Sequence, residues 1–174
     1  MKYKDYYQKR HWEAQYTKIR IYLTEEQNFW YILNKLGWGT KSTNYNDLGE
    51  QLTQYIKKVE DIERLRRISQ TFREELSSKI DMFRKSDNWS EKYHYWGGDD
   101  SYWDFTSHIV GMGKEMYDKV CADPTNMSLV GNNYKENFEY TFSKCKEFCE
   151  TDEGKKILTK NNRLGKLERI DEER

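Results

Sequence analysis

The fold is decided by residues 62–83, which read IERLRRISQTFREELSSKIDMF. Apolar side chains recur there every three or four positions, at Ile62, Leu65, Ile68, Phe72, Leu76, Ile80 and Phe83. This spacing matches the 3.6-residue turn of an α-helix and predicts one long amphipathic helix. Charged residues between them, including Arg64, Arg66 and Arg73, predict a solvated face with paired charges.

Helical spacing continues on both sides of this stretch. Thr24-Glu25-Glu26-Gln27 is a capping box, because the threonine and glutamine side chains can each bond a free backbone amide. The helix that it opens is expected to end at Gly37 or Gly39. Further helices are predicted over residues 48–59, from Asp100 to about Cys121, and from Tyr134 to Cys149.

The chain is therefore predicted to be all-α, a single-domain helical bundle of about five to seven helices. Its 174 residues suit one domain, and an aromatic content of 16% can supply a core. A polar, basic lead segment (residues 1–23) precedes the helical domain (residues 24–151). Residues 16–23 could form a short strand or a helical turn. A charged C-terminal tail (residues 152–174) follows, as a frayed helix or an extended tail.

Charge is balanced overall, with 30 basic and 30 acidic residues, so the chain exerts no strong pull on polyanions. The lead segment is an exception, because it contains six basic residues but only two acidic ones, Asp5 and Glu13. The six are Lys2, Lys4, Lys9, Arg10, Lys18 and Arg20. This excess favours an arm that docks on its own domain over one that binds a polyanion.

Several features predict a cytoplasmic protein. The longest apolar run, Phe29 to Leu33, is far shorter than the ~20 residues of a membrane span. The first residues contain no apolar stretch of the kind found in secretory signals. Three cysteines, an odd number, argue against a disulfide framework and for a reducing compartment.

The middle of the chain resembles the bacterial domain-of-unknown-function family 4240. The resemblance rests on Gly97-Gly98-Asp99-Asp100-Ser101-Tyr102-Trp103-Asp104-Phe105, followed by Ile109-Val110, Gly113-Lys114-Glu115, Tyr117 and Ala122-Asp123-Pro124. The capped helix at residues 24–30 is similar to the family's opening. The likeness covers residues 24–149, but Thr106 and His108 stand where the family has arginine and tryptophan. It implies no activity, because the family has no assigned role.

Asp99 and Asp100 are the residues most suggestive of chemistry. Two carboxylates could hold a cation or share a proton. The structural alternative is that Gly97 and Gly98 make a tight turn and an aspartate caps the next helix, and this alternative is favoured.

Other candidate sites are weaker. Cys145 and Cys149 share a helix face with four-residue spacing, and zinc would need Cys121 and His108 as further ligands. A nucleophilic pair of Cys121 with His108 or His94 has no supporting motif. Gly37-Trp38-Gly39 follows a helix, which is the wrong context for a phosphate loop. Gly111-Met112-Gly113 is expected to permit close helix packing. The sequence predicts no catalytic residue, no metal site and no cofactor.

Aromatic residues crowd around the double glycine. A candidate binding surface comprises Trp89, Tyr93, His94, Tyr95, Trp96, Asp99, Asp100, Tyr102 and Trp103. A short segment cannot turn all these rings inward, and exposed tyrosine and tryptophan are enriched in protein interfaces. The alternative, that the rings belong only to the core, stays open.

The leading functional hypothesis is a non-enzymatic bacterial module of unknown specific role that binds a protein partner and could neutralise it. The alternative is a small-molecule-binding or enzymatic domain with a pocket at residues 97–105. Nucleic-acid binding ranks third, because the net charge is zero and glutamates interrupt the arginines around residues 64–73.

Overall fold

The computed structural model describes the backbone of residues 24–172 and the side chains of residues 24–164. Within these ranges the chain is all-α, which confirms the predicted fold class. The lead segment, including the possible strand at residues 16–23, lies outside the described residues. The helices are α1 (Glu25–Leu36), α2 (Tyr45–Leu52), α3 (Glu60–Arg84), α4 (Asp99–Gly111), α5 (Lys114–Ala122), α6 (Tyr140–Cys149) and α7 (Asp152–Glu172).

Helix α3 is the centre of the fold. Its side chains Ile62, Leu65, Leu76 and Ile80 are buried, and the helix contacts α1, α4, α5 and α6. Aromatic rings fill the space around it: the ring centroid of Phe72 lies 5.6 Å from that of Phe29 on α1. The long helix predicted from residues 62–83 is therefore confirmed, and it serves as the surface against which the other helices bury their apolar faces.

The predicted start of α1 is confirmed by its hydrogen bonds. The amide of Gln27 donates to the Thr24 hydroxyl over 3.2 Å, and the Thr24 amide donates to the Gln27 side chain over 3.0 Å. The helix ends at Leu36, and Gly37 follows in the left-handed conformation. Both ends of α1 are thus determined by local sequence.

Helix α2 lies against α6, and the two backbones approach closely at Gly49. A methyl group at Gly49 would lie 2.9 Å from the backbone nitrogen of Cys145. The helix predicted over residues 48–59 is wrong beyond Leu52, because Thr53–Tyr55 forms a 3-10 turn. The amides of Lys57 and Lys58 then donate to the carboxylate of Asp61 in the first turn of α3, which holds the preceding turn against the helix.

The single helix predicted from Asp100 to Cys121 is also wrong, because α4 and α5 are separate. The break lies at Gly113, whose φ of 98° is incompatible with helix continuation and rarely adopted by other residues. Asn34 occupies the space beside the Gly113 Cα. The prediction that this glycine-rich stretch permits close packing holds at Gly111, because a methyl group there would lie 2.7 Å from the Phe138 ring.

The last predicted helix begins six residues later than expected, at Tyr140 instead of Tyr134. Two 3-10 turns, Pro124–Leu129 and Gly131–Asn133, lead up to it. Asn137 has a φ of 76°, which a helix cannot accommodate, and its amide donates to the Asp104 carboxylate over 3.4 Å. The apolar spacing at residues 134 and 138 matched a helix, but the backbone between them turns to reach α4.

The residues after Thr151 form the long helix α7. The Asn161 side chain donates to the backbone oxygens of Thr53 and Ile56 over 3.1 and 2.7 Å, and the Asn162 side chain donates to that of Lys57. These bonds fasten α7 to the turn after α2. Among residues 24–172, no helix combines the length and the apolar character that crossing a bilayer requires.

The break at Gly113 generates a stability prediction. Gly113→Ala should lower the free energy of unfolding by about 1–3 kcal/mol, because the new methyl group strains the left-handed backbone and meets Asn34. Urea titration followed by tryptophan fluorescence measures this loss. Gly97→Ala is the matched control and should change stability by less than about 0.5 kcal/mol, since nothing lies within 4 Å of its new methyl group. Equal stability of the two variants would contradict the assigned break.

Candidate functional site

Most of the rings expected at the binding surface pack together in an aromatic cluster between the end of α3 and the start of α4. The Trp96 ring centroid lies 4.6 Å from that of Tyr102 and 5.3 Å from that of Phe105. The Trp89 centroid is 5.6 Å from that of Phe83, and Trp96 is only 7% exposed. Trp96 and Phe105 belong to the hydrophobic core, and the other rings pack against it, which holds residues 89–96 against α3.

The remaining members of the aromatic cluster have defined partners. Tyr93 lies 5.3 Å from Phe83, and Tyr95 stacks on Phe105, both measured between ring centroids. The Tyr102 hydroxyl donates to the Ser77 backbone oxygen over 3.0 Å, and burial raises the pKa of this tyrosine. His94 is exposed at the edge of the cluster, with its Nδ1 atom 3.4 Å from Glu91.

Asp99 and Asp100 lie on a different side from these rings. Both carboxylates are exposed in the first turn of α4. The N-cap residue is Gly98, and no side chain caps the helix, so the predicted aspartate cap is wrong. Their negative charges are still favourable at this position, because the N-terminus is the positive end of the helix dipole. The two side chains are available to groups outside the helix because they bond none of its amides.

The two aspartates border a groove between α3, α4 and α6. Its wider part has a volume of about 670 Å³. The lining residues are Arg66 and Gln70 of α3, Asp99, Asp100, Trp103 and Asp104 of α4, and Asn137, Glu139, Tyr140 and Ser143 at the start of α6. Of the predicted surface, the structure therefore brings together Asp99, Asp100 and Trp103 here and leaves the other six residues in or beside the aromatic cluster.

The groove continues along α3 and α6 as a narrower part of about 240 Å³, which shares Arg66 and Ser143 with the wider part. We call the two parts together the acidic groove. Its carboxylates are Glu63, Asp99, Asp100, Asp104, Glu139, Glu147 and Glu150, and its basic side chains are Arg66 and Lys146. Glu63 pairs with Lys146 over 3.4 Å and Glu147 pairs with Lys144 over 2.6 Å, so the negative excess of this surface comes mainly from Asp99, Asp100, Asp104 and Glu150.

With Tyr140, which is 55% exposed, Trp103 is one of two exposed aromatic residues that line the wider part. It is 46% exposed, whereas the guanidinium of Arg73 stacks on its ring with the carbon 3.1 Å from the centroid. Planar guanidinium groups stack well on aromatic rings because both faces are weakly hydrated. The stack orients the indole, so that the rest of its surface is presented to the groove.

Arg73 itself is 6% exposed, so the prediction that it belongs to a solvated face is wrong. Its Nη2 atom lies 3.7 Å from the exposed Glu74 carboxylate, and its Nε atom donates to no acceptor. A buried donor without an acceptor is costly, and the fold bears this cost because the Nε atom is shielded from solvent.

Glu139 joins α6 to α3 beside this arginine. The Ser69 hydroxyl donates to its carboxylate over 3.1 Å. Burial raises the pKa of Glu139, while the Ser69 hydrogen bond and the charges of Arg73 and Arg66 oppose that rise. The carboxylate is thus held among polar partners at the inner edge of the groove.

Seven residues of the wider part were missed from the sequence: Arg66, Gln70, Asp104, Asn137, Glu139, Tyr140 and Ser143. A signal existed only for α3, where Arg66, Gln70 and Arg73 repeat at helical spacing and form a polar stripe. The α6 residues carry no local signal. They reach the groove because the turn at Asn137 directs the chain back to α4.

His108 is occupied by structural hydrogen bonds. Its Nδ1 atom accepts from the indole of Trp38 over 2.7 Å and from the amide of Lys135 over 3.2 Å. Both donors require a neutral ring, and burial lowers the pKa of His108 to about 4. Its Nδ1 atom therefore has no lone pair to offer a metal ion or a cysteine.

Cys121, Cys145 and Cys149 are free thiols, and the last two are buried. The sulfur atoms of Cys145 and Cys149 lie 3.5 and 3.9 Å from the Thr53 hydroxyl. Burial raises the pKa of the Cys145 thiol to about 12, which keeps it protonated and unreactive. In the part of the chain whose side chains are described, no three histidine, cysteine or acidic residues lie close enough to hold one metal ion.

These features define an all-α protein with an acidic groove floored by a stacked tryptophan. A family model described as "Protein of unknown function (DUF4240)" matches residues 24–150, and the chain belongs to that family. The match confirms the resemblance seen around the double glycine. Comparison with the curated proteins and with the solved structures found no match.

The burial of His108 generates a prediction about pH. As the pH falls from 6.5 to about 4, the histidine becomes protonated in the unfolded chain but stays neutral in the folded one. The free energy of unfolding should therefore fall over this range, by up to about 3 kcal/mol from this residue. Urea titrations at several pH values measure the decrease.

His108→Asn should make the free energy of unfolding depend less on pH between 6.5 and about 4, because asparagine does not titrate. His94→Asn, at the exposed edge of the aromatic cluster, is the matched control and should leave the profile close to that of the unmodified protein. Parallel pH profiles for His108→Asn and the unmodified protein would show that another group is responsible.

Proposed function

We propose that the protein is a non-enzymatic binding module whose acidic groove takes a basic, extended segment of a partner protein. The observation that carries the proposal is one exposed, stacked tryptophan beside the carboxylates of Asp99, Asp100 and Asp104, in a groove whose two adjoining parts share Arg66 and Ser143. Carboxylates attract lysine and arginine side chains, and the indole surface favours a cation or another ring.

The dimensions of the groove favour a polypeptide. The ten residues of α6, Tyr140–Cys149, extend about 15 Å, which four or five residues of an extended chain would cover. The groove also offers donors, from Arg66 and Gln70, and the backbone oxygens of a peptide can accept from them. A peptide thus supplies both kinds of group that the groove requires.

The arginines of α3 do not support nucleic-acid binding. Arg64 pairs with Glu25 over 3.4 Å, Arg66 lies among carboxylates, and Arg73 is buried. A phosphate backbone is instead bound by clustered, exposed basic groups. We place the module in the bacterial cytoplasm, because the family resemblance is bacterial and because Cys121, Cys145 and Cys149 are free thiols.

A second candidate is a small cationic ligand in the wider part alone. Its volume of about 670 Å³ lies in the range of small-molecule pockets, and neither Asp99 nor Asp100 caps α4. Such a ligand would use Asp99, Asp100 and Trp103 but not the narrower part. Arginine methyl ester, a small cation without a peptide chain, tests this candidate.

The binding test uses a fluorescent Arg- and Lys-rich peptide of about twelve residues with Gly and Ser spacers. Fluorescence anisotropy should show micromolar binding at low salt, and the binding should weaken as salt screens the charges. The double variant Asp99→Asn, Asp100→Asn should weaken it about tenfold through lost attraction. Asp47→Asn, Asp87→Asn is the matched control, because both carboxylates are exposed and neither lines the groove.

Equal peptide affinity for the two double variants would contradict the proposal. Arginine methyl ester that binds as tightly as the peptide would favour the small-ligand candidate, because the narrower part would then contribute nothing.

A further inference from the structure

The outer side of α7 carries a group of basic side chains. Successive residues of a helix point about 100° apart, so Gly154, Leu158 and Asn161 share one side of α7 and the basic residues lie on the opposite side. These basic residues are exposed and line one surface depression: Lys155, Lys156, Lys160 and Arg163. We call them the basic face. Within the side chains that the structure describes, Lys155, Lys156 and Arg163 enter no ion pair, so their charges are available to a partner.

Contacts on the inner side of α7 hold the basic face away from the rest of the domain. A methyl group at Gly154 would lie 2.8 Å from the Cα atom of Cys149, so α7 and the end of α6 are in close contact. The Asn161 side chain donates to the backbone oxygens of Thr53 and Ile56. Because α7 is held at both positions, its basic face points away from the chain that carries it. A partner of this face is therefore another molecule.

The acidic groove has the complementary charge and a similar length. Its negative excess comes mainly from four carboxylates, those of Asp99, Asp100, Asp104 and Glu150. The basic face extends from Lys155 to Arg163, which is about 12 Å along a helix. Helix α6, beside which the groove runs, is about 15 Å long. The two surfaces thus match in the number of their charges and in their approximate extent.

Acidic residues close to the basic face disfavour an extended polyanion as its partner. Asp152 and Glu153 are exposed in the first turn of α7, and Glu150 precedes them at the edge of the groove. A nucleic acid or a layer of anionic lipid headgroups would meet these carboxylates as well as the cations. A second copy of this chain presents its carboxylates grouped in a groove, so it avoids much of this repulsion.

We propose that the basic face of one copy docks on the acidic groove of a second copy. This inference rests on the proposed function, because it names a partner for the same groove. The lysine and arginine groups lie opposite Asp99 and Asp100, and the exposed part of the Trp103 ring covers the apolar stem of a long basic side chain. Each copy carries both surfaces, so the contact is heterologous, and it weakens as ionic strength rises.

Sedimentation of the full-length chain at increasing concentration tests this contact. The unmodified protein should self-associate with micromolar affinity at low salt, and higher salt should weaken the association by screening the charges. The face variant Lys155→Gln, Lys156→Gln, Arg163→Gln and the groove variant Asp99→Asn, Asp100→Asn should each weaken it at least about tenfold. An equimolar mixture of the two variants should associate more tightly than either alone, because an intact face then meets an intact groove.

Matched controls remove the same charges from exposed positions that line neither surface. They are Lys79→Gln, Lys85→Gln, Lys92→Gln for the face variant and Asp47→Asn, Asp87→Asn for the groove variant. Both should self-associate like the unmodified protein. A monomer at every concentration, or equal self-association of the face variant and its control, would overturn the inference. A mixture of face and groove variants that associates no more tightly than either variant alone would overturn it as well.

The peptide assay separates this inference from the proposed function. The face variant keeps its groove, so it should bind the basic fluorescent peptide at least as tightly as the unmodified protein does. Peptide binding without self-association would remove the inference and leave the binding function intact. Self-association that both variants weaken, without any peptide binding, would support the second copy as the occupant and contradict the proposed binding of an extended segment.

Discussion

Helix α3 has to exclude Ile62, Leu65, Leu76 and Ile80 from water, and α1, α4, α5 and α6 are arranged around it to do so. One helix cannot bury such an apolar stripe alone, so the length of the stripe determines how many other helices must pack against α3. The partners meet α3 at different heights and angles. The acidic groove is the gap that remains where α4 and α6 approach the polar stripe of α3 from two sides.

Among the residues whose side chains the structure describes, the one buried arginine is Arg73 on the same helix. Removing a guanidinium from water is expensive unless charges and hydrogen bonds replace the solvent. Arg73 receives part of this replacement from the Trp103 ring and from the carboxylates of Glu74 and Glu139. Its position therefore links the core to the groove, because the residue that orients the exposed tryptophan is itself held by buried contacts.

The aromatic residues near the double glycine have two different roles. Trp96 and Tyr102 pack with Phe105 and fasten the segment after α3 to the start of α4. Trp103 follows Tyr102 directly, yet it lies on the other face of α4, because successive residues of a helix point about 100° apart. The sequence shows that many aromatic residues lie in this region. Only the packing of α4 on α3 determines which of their rings are buried in the core and that Trp103 lines the groove.

The amino-acid sequence by itself determined the helical class, the course of α3 and the capped start of α1, because apolar spacing and capping are local properties. It also identified Asp99, Asp100 and Trp103 as neighbours on one short segment. The break at Gly113, the turn at Asn137 and the burial of Arg73 were decided by tertiary structure. Each depends on residues distant in the chain, namely Asn34, Asp104 and Trp103. A groove between three helices exists only when those long-range contacts have formed.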